Sequence, residues 1–358
     1  MPPPQHIDQL LAGFADGDAI SHHARLLRDL LRGLGYASDI YVDAARVSPT
    51  LHGEFKPLAD YAAGPRDVCL FHYSIASPAT EAYLRSAARK VLIYHNITPA
   101  DFFRPFDDHL VCQLTEARAQ LAEMSRTADA VWAVSRFNAS ELEALGAKNV
   151  RVVPLPLPRA MLDVPPDPLV TAKFGARLTT LLFVSRLAPN KCVEDLIQAY
   201  AWYHRAINPF SRLLIVGSDR GCPRYAAMLR MLVADLDLPN VCFEGFASPG
   251  GLTAYYRTAD VYLSTSAHEG FGLPLVEAMY YGVPVVARAV GGTPEAMGRG
   301  GVLYDDLSAP ELAALIHRVT TDQALRADIL QSQQRRVQEM LDRPLAAELR
   351  DLLAGVTA

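Results

Sequence analysis

Apolar residues recur along this chain in short runs closed off by glycine, proline or polar residues, and the runs alternate with longer stretches of helical spacing. In the first half the runs are 7–11, 40–42, 68–73, 91–95, 130–134 and 150–153. Short continuous apolar runs bounded by turn residues predict strands buried on both faces. Between them, residues 22–34 carry Leu26, Leu27, Leu30 and Leu31 on one side and predict a helix, as do 78–89, 110–126 and 139–145. The second half repeats the pattern, with strands at 181–184, 213–217, 241–243, 261–263, 283–287 and 301–304 and helices at 193–207, 225–236 and 251–258. Strands alternating with helices predict parallel sheets covered on both faces, one Rossmann-like sheet in each half.

Pro154, Pro156, Pro158, Pro165, Pro166 and Pro168 separate the halves. That density of proline predicts a stiff connector resisting both helix and sheet. The expected division is therefore a first domain at 1–160 and a second at 161–335, and 358 residues suit two domains of ordinary size.

Composition narrows the partners. Half the residues are hydrophobic and a fifth charged, with a formal net charge of -5 and no basic tail, so nucleic acid is not expected as a main partner. The five cysteines are scattered without a C-x-x-C pair and read as reduced thiols. No apolar run is long enough to span a membrane, and the proline-rich start lacks a basic region followed by an apolar core. The expected location is the cytoplasm, with peripheral contact at the inner face of a membrane left open.

The chemistry concentrates in 266–279. The apolar run Val261-Tyr262-Leu263 leads into Glu269-Gly270-Phe271-Gly272-Leu273-Pro274 and then into good helix formers. Strand, glycine turn and helix start together form a phosphate-facing geometry, because the first helical N–H groups lack partners and glycine lets an anion approach closely. Glu269 and Glu277 bracket this turn with seven residues between them. Carboxylates repel phosphate, so their expected partners are hydroxyls on either side of it, and the implied ligand is a nucleotide sugar. Arg186 and Lys191 lie on the loop leaving the first strand of the same half, where two cations suit a diphosphate. In the first half, Gly17 sits in the turn Asp16-Gly17-Asp18 before a helix. This D-x-D spelling is turn chemistry first and no metal site is expected there. His22 and His23 are adjacent, point about 100° apart on a helix, and do not readily share a metal.

Glu269 and Glu277 resemble the E-x7-E signature of retaining glycosyltransferases of family 4, and Ser185-Arg186-Leu187-Ala188-Pro189-Asn190-Lys191-Cys192 resembles that family's R-L-x-x-x-K-G loop with cysteine in place of the glycine. His95-Asn96-Ile97-Thr98-Pro99 is similar to its H-D-x-x-P, with asparagine for aspartate, and Gly291-Gly292-Thr293-Pro294-Glu295 to its G-G-x-P-E. The resemblance implies the GT-B fold, two Rossmann-like domains facing a cleft, with the last helix (336–358) crossing back to the first domain. It implies transfer of a sugar from a nucleoside-diphosphate donor to a hydroxyl of a glycan, glycolipid or small molecule, with retention, no cofactor and no catalytic metal. Arg186, Lys191 and the N–H groups of Gly270, Phe271, Gly272 and Leu273 would neutralise the diphosphate. Glu277 would hold the ribose, Glu269 sugar hydroxyls, and His95 the sugar or acceptor. Gly17, Gly217, Gly245 and Phe246 would lie against the donor. A nucleotide-sugar 2-epimerase, a sugar phosphorylase and a non-catalytic nucleotide-sugar-binding protein are the alternative readings.

Overall fold

The computed structural model describes residues 6–157, 159–175 and 177–357. The proline-rich start and Pro158 of the connector lie outside the described residues. The chain divides into two compact units, the first holding the residues up to Arg104, 108–156 and everything from Arg343 on, the second holding 105–107 and 157–342.

In unit 1 the strands are β1 (Ile7–Leu11), β2 (Ile40–Val42), β3 (Lys56–Pro57), β4 (Val68–Tyr73), β5 (Arg89–Tyr94), β6 (Ala130–Ala133) and β7 (Arg151–Val152), with helices α1 (Ala19–Gly33), α2 (Pro78–Arg85), α3 (Asp108–Thr127) and α4 (Arg136–Ala144) between them. Among the described residues they form one parallel sheet in the order β3-β2-β1-β4-β5-β6-β7. Every residue of β1 and β4 is buried, as expected for strands with helices on both faces. The predicted helix 78–89 stops at Arg85, because Ser86 turns extended and Arg89 N already donates to Asp67 O (2.9 Å) as the first rung of β5. β3 escaped the hydrophobic pattern: it is two exposed residues at a sheet edge, where a proline is tolerated.

Unit 2 contains α5 (Arg159–Leu162), α6 (Pro168–Lys173), β8 (Thr179–Val184), α7 (Val193–Trp202), β9 (Ser211–Val216), α8 (Pro223–Asp235), β10 (Val241–Gly245), α9 (Pro249–Thr258), β11 (Val261–Ser264), α10 (Leu273–Tyr280), β12 (Val285–Arg288), α11 (Thr293–Met297), β13 (Val302–Tyr304), α12 (Ala309–Thr321) and α13 (Gln323–Leu341). Its parallel sheet runs β10-β9-β8-β11-β12-β13. The connector is not free of helix as the sequence suggested. Pro168 stands in the first turn of α6, where its missing N–H breaks nothing, and Asp167 caps that turn by accepting from Leu169 N (2.8 Å).

A last helix, α14 (Leu345–Thr357), belongs to unit 1. The chain returns there at Arg343 and not at 336, for local reasons. Gln333 bridges Val283 O and Val285 N (both 2.8 Å), and Arg336 donates to Glu295 O (2.8 Å) and Ala296 O (3.0 Å), all within unit 2. Arg343, by contrast, donates to Pro154 O (2.8 Å) and pairs with Glu348 (2.7 Å). No helix among the described residues is long and apolar enough to cross a membrane, and the five cysteines are free.

Candidate functional site

The strand order of unit 2 reverses between β8 and β11, and in open α/β sheets ligands bind outside the carboxyl ends of strands at such a point. The loop after β8 carries Arg186 and Lys191; the loop after β11 carries Glu269. The two loops are bolted together by Asn190, a buried residue the motifs did not single out. Its carbonyl accepts from Ala267 N (2.9 Å) and its amide donates to His268 O (3.1 Å). Thr265 adds a bond from its hydroxyl to Cys192 O (2.9 Å). Cys192 itself adopts φ 46° and ψ 51°, the left-handed conformation that a glycine would supply. Cys192 therefore holds a backbone conformation suited to glycine at the cost of some backbone strain.

This clamp puts Lys191 Nζ 2.7 Å from Glu269 Oε1, with the two side chains only 16% and 14% exposed. Ser266 Oγ donates to the same oxygen at 2.8 Å. The sequence separated the two residues into a phosphate binder and a hydroxyl binder; the structure pairs them. Arg186 is exposed and enters no ion pair among the described residues. Beside them, the N–H groups of Gly270, Phe271, Gly272 and Leu273 find no acceptor among the described residues, so the start of α10 presents free donors and the positive end of its dipole. The side chains of Phe271 and Leu273 are buried, so these residues can serve a ligand only through their backbone. Gly291 (φ 53°) and Gly292 lie directly on this loop: a Cβ on either would fall 2.1 Å from Glu269 O or 2.3 Å from Gly270 O, and Gly292 N donates to Glu269 O (2.9 Å).

Glu277 projects from α10 and accepts from Tyr256 Oη of α9 at 2.9 Å. Burial pushes its carboxyl above the usual range, and the Tyr256 hydrogen bond pulls the other way. Tyr256 stacks on Tyr281 at 5.1 Å. Nothing in the E-x7-E spacing announces either tyrosine. Gly217 follows β9 with φ 146°; its N donates to Gly245 O (2.7 Å), and a Cβ there would stand 1.8 Å from Ser185 O. Gly245 (φ 67°) has open space around it, and Phe246 is 59% exposed.

Gly17 and His95 belong to unit 1. Gly17 is exposed in the loop between β1 and α1, flanked by carboxylates that are both used locally. Asp18 caps α1 through Ser21 N (2.9 Å), and Asp16 accepts from the Thr50 hydroxyl. His95 follows β5, and its Nε2 lies 2.9 Å from His72 Nδ1. Asn96, in the left-handed conformation (φ 85°), donates through Nδ2 to Glu141 (2.9 Å) and Asn138 (3.0 Å). Ser135 caps α4, accepting from Asn138 N at 3.2 Å.

Residues 173–336 match the family described as glycosyl transferases group 1. Among curated relatives, the D-inositol 3-phosphate glycosyltransferase of Acidothermus cellulolyticus is 32% identical over 191 residues, covering 51% of this chain and 42% of the relative. The serotype-specific mannosyltransferase WbdA of Escherichia coli is 25% identical over 219 residues, 59% of this chain and 26% of that one. The matches thus span less than half the length of these relatives. Among solved structures, Anabaena Alr3699/HepE in complex with UDP and glucose superposes with a TM-score of 0.73 at 21% identity, covering 98% of this chain and 100% of that one. Sucrose-phosphate synthase from Thermosynechococcus elongatus gives 0.73 at 20% identity, covering 98% of each. These likenesses establish the GT-B fold, and with the family match they support a GT-B glycosyltransferase.

Proposed function

We propose that this protein is a retaining, family-4-type glycosyltransferase that moves a sugar from a nucleoside-diphosphate donor, UDP-glucose being the first to test, to an acceptor hydroxyl without a catalytic metal. The observation that carries the reading is the Lys191–Glu269 pair beside the unpartnered N–H groups at the start of α10, with Arg186 exposed on the Lys191 loop. An arriving diphosphate takes the free N–H groups, Arg186 and Lys191 as its donors. Drawing Lys191 away releases Glu269 to accept hydroxyls of the transferred sugar. Glu277, held by Tyr256, accepts the ribose hydroxyls.

In the transfer, the bond from the anomeric carbon to the diphosphate oxygen breaks as the acceptor oxygen bonds the same face of that carbon. The acceptor proton passes to the departing phosphate oxygen. Negative charge grows on the diphosphate, where preorganised cationic and N–H donors stabilise it most. His95 keeps the role its motif implies, positioning of sugar or acceptor. The UDP and UDP-glucose complexes of Anabaena HepE support a uridine nucleotide as the first donor to test.

Thermal stability with UDP-, GDP-, ADP- and TDP-sugars in the presence of a chelator tests the donor site. A ligand at a hundredfold excess over Kd stabilises by roughly 2.7 kcal/mol. One nucleotide class should raise the transition, and Lys191→Ala and Glu277→Ala should each weaken that shift. If a folded sample responds to none of them, the donor site is wrong.

A further inference from the structure

Unit 1 brings together three imidazoles from three separate segments: His23 on α1, His72 near the end of β4 and His95 just after β5. One nitrogen from each ring lies within 4.8 Å of the other two. The ring centroids stand 5.1 to 5.5 Å apart. His23 and His72 are buried, 6% and 1% exposed, and His95 is half-buried.

A buried histidine needs both ring nitrogens accounted for. At His72 the account can be closed. Gln9, buried in β1, donates its amide nitrogen to Ala24 O (2.9 Å), which turns the amide oxygen toward His72 Nε2 (2.9 Å). That ring nitrogen must then carry the proton, and His72 Nδ1 is left with its lone pair facing His95 Nε2. At His23 the account stays open, since its buried Nδ1 has no hydrogen-bond partner. All three rings are held neutral by burial, His23 down to about 4 and the other two well below the usual histidine range. Neutral imidazole is the ligating form.

We infer that His23, His72 and His95 form a binding site for one transition-metal cation of the zinc class, with Gln9 as the carbonyl that orients His72. Nitrogen-only ligands select zinc, copper, nickel or iron over magnesium and calcium. Three protein ligands leave a fourth position for water or an exogenous ligand, the arrangement of an exchangeable site and not of a sealed structural one. A metal at about 2.0–2.1 Å from each nitrogen needs them roughly 3.3 Å apart, so the His72–His95 pair (2.9 Å) must open by a few tenths of an ångström and a pair near the 4.8 Å limit must close by about 1.5 Å. His95 moves its proton from Nε2 to Nδ1 as it binds, and no proton is released from the neutral triad. The ion takes the His95 nitrogen that otherwise bonds to His72. The inference does not depend on the glycosyl-transfer reading, and its test uses no activity.

The tag-free 358-residue chain, stripped with a chelator, is titrated with Zn2+ by calorimetry and with Co2+ by visible absorption. One equivalent should bind, and cobalt should show the strong bands of a low-coordinate ion. His23→Ala should abolish saturable binding, and Gln9→Leu should weaken it about 10- to 100-fold. Absence of one-to-one binding overturns the site, as does equal binding by folded His23→Ala. Where a variant does not fold, the native protein decides: only the faint spectrum of hexa-aqua cobalt rejects the proposal.

Discussion

Glu277 shows how burial can set a carboxylate against the stability of the fold. Burial pushes its carboxyl up, against the opposite pull of its one hydrogen bond from Tyr256. A carboxyl whose folded-state pKa is raised favours folding below its unfolded value, and that contribution is lost as pH rises through the folded value. Glu277→Gln should therefore gain stability over the native protein as pH rises through that window, read from urea midpoints of the ligand-free proteins. Nucleotide affinity should run the other way in the native protein, falling as pH drops through the same window because the protonated carboxyl loses acceptor capacity. In Glu277→Gln it should be flat there. Parallel pH profiles for both proteins would remove Glu277 from the ribose. The sequence made this residue conspicuous, and it left Tyr256 invisible because the partner sits 21 positions away on another helix. Asn96 carries a similar lesson. The motif has an aspartate at this position, but the structure uses the asparagine amide as a donor to Glu141, which also accepts from Tyr94 (2.8 Å) and Arg118 (3.2 Å). An aspartate could not donate there.

Strand ends and the loops leaving them explain most of what periodicity could reach. The buried runs announced their strands, and the glycines announced turns. What the pattern could not supply was the reason for each glycine, because that reason is a neighbour distant in sequence. Gly217 and Gly245 read alike, each at the end of a strand, one just after β9 and the other closing β10, both with positive φ. Only Gly217 has backbone lying where its Cβ would be, at 1.8 Å from Ser185 O, one residue before Arg186. Gly217→Ala must push the β8 loop aside as well as bear the unfavourable φ, and overpacking of this kind costs about 1–3 kcal/mol beyond the backbone strain. Gly245→Ala meets only its φ, about 1 kcal/mol. Denaturant unfolding of the two variants should separate them by roughly 2 kcal/mol, with nucleotide affinity lost in the first and largely kept in the second. Equal losses would mean that Gly217 does not set the course of the Arg186 loop. The same limit on sequence reading hid the Lys191–Glu269 pair, whose members are 78 positions apart, and the histidine triad, assembled from three segments.

The division of the chain assigns the chemistry unequally. Residues 157–342 are continuous in sequence and contain β8 to β13, Arg186, Lys191, the glycine loop, Glu269 and Glu277. Unit 1 is assembled from separate stretches, with α14 completing it through the Arg343–Pro154 bond and a second one from Arg89 to Val356 O (2.5 Å). Its C-terminal part lines a small cavity of about 30 Å³ with His23, Ile93 and Trp132. Apart from residues 105–107 unit 2 is continuous, and a nearly continuous unit with its own sheet and core is the arrangement that survives excision. Expressed alone, 157–342 should fold cooperatively and bind a nucleoside diphosphate within about tenfold of the full chain, since each ionic and backbone donor proposed for the diphosphate is internal to it. Calorimetric titration of UDP into both proteins measures this. The excised unit should bind no zinc at the histidine site, because all three histidines and Gln9 lie in unit 1. A folded fragment that ignores nucleotides bound by the full chain would show that unit 1 supplies part of the diphosphate site, and the assignment of donor recognition to the loops after β8 and β11 would fail.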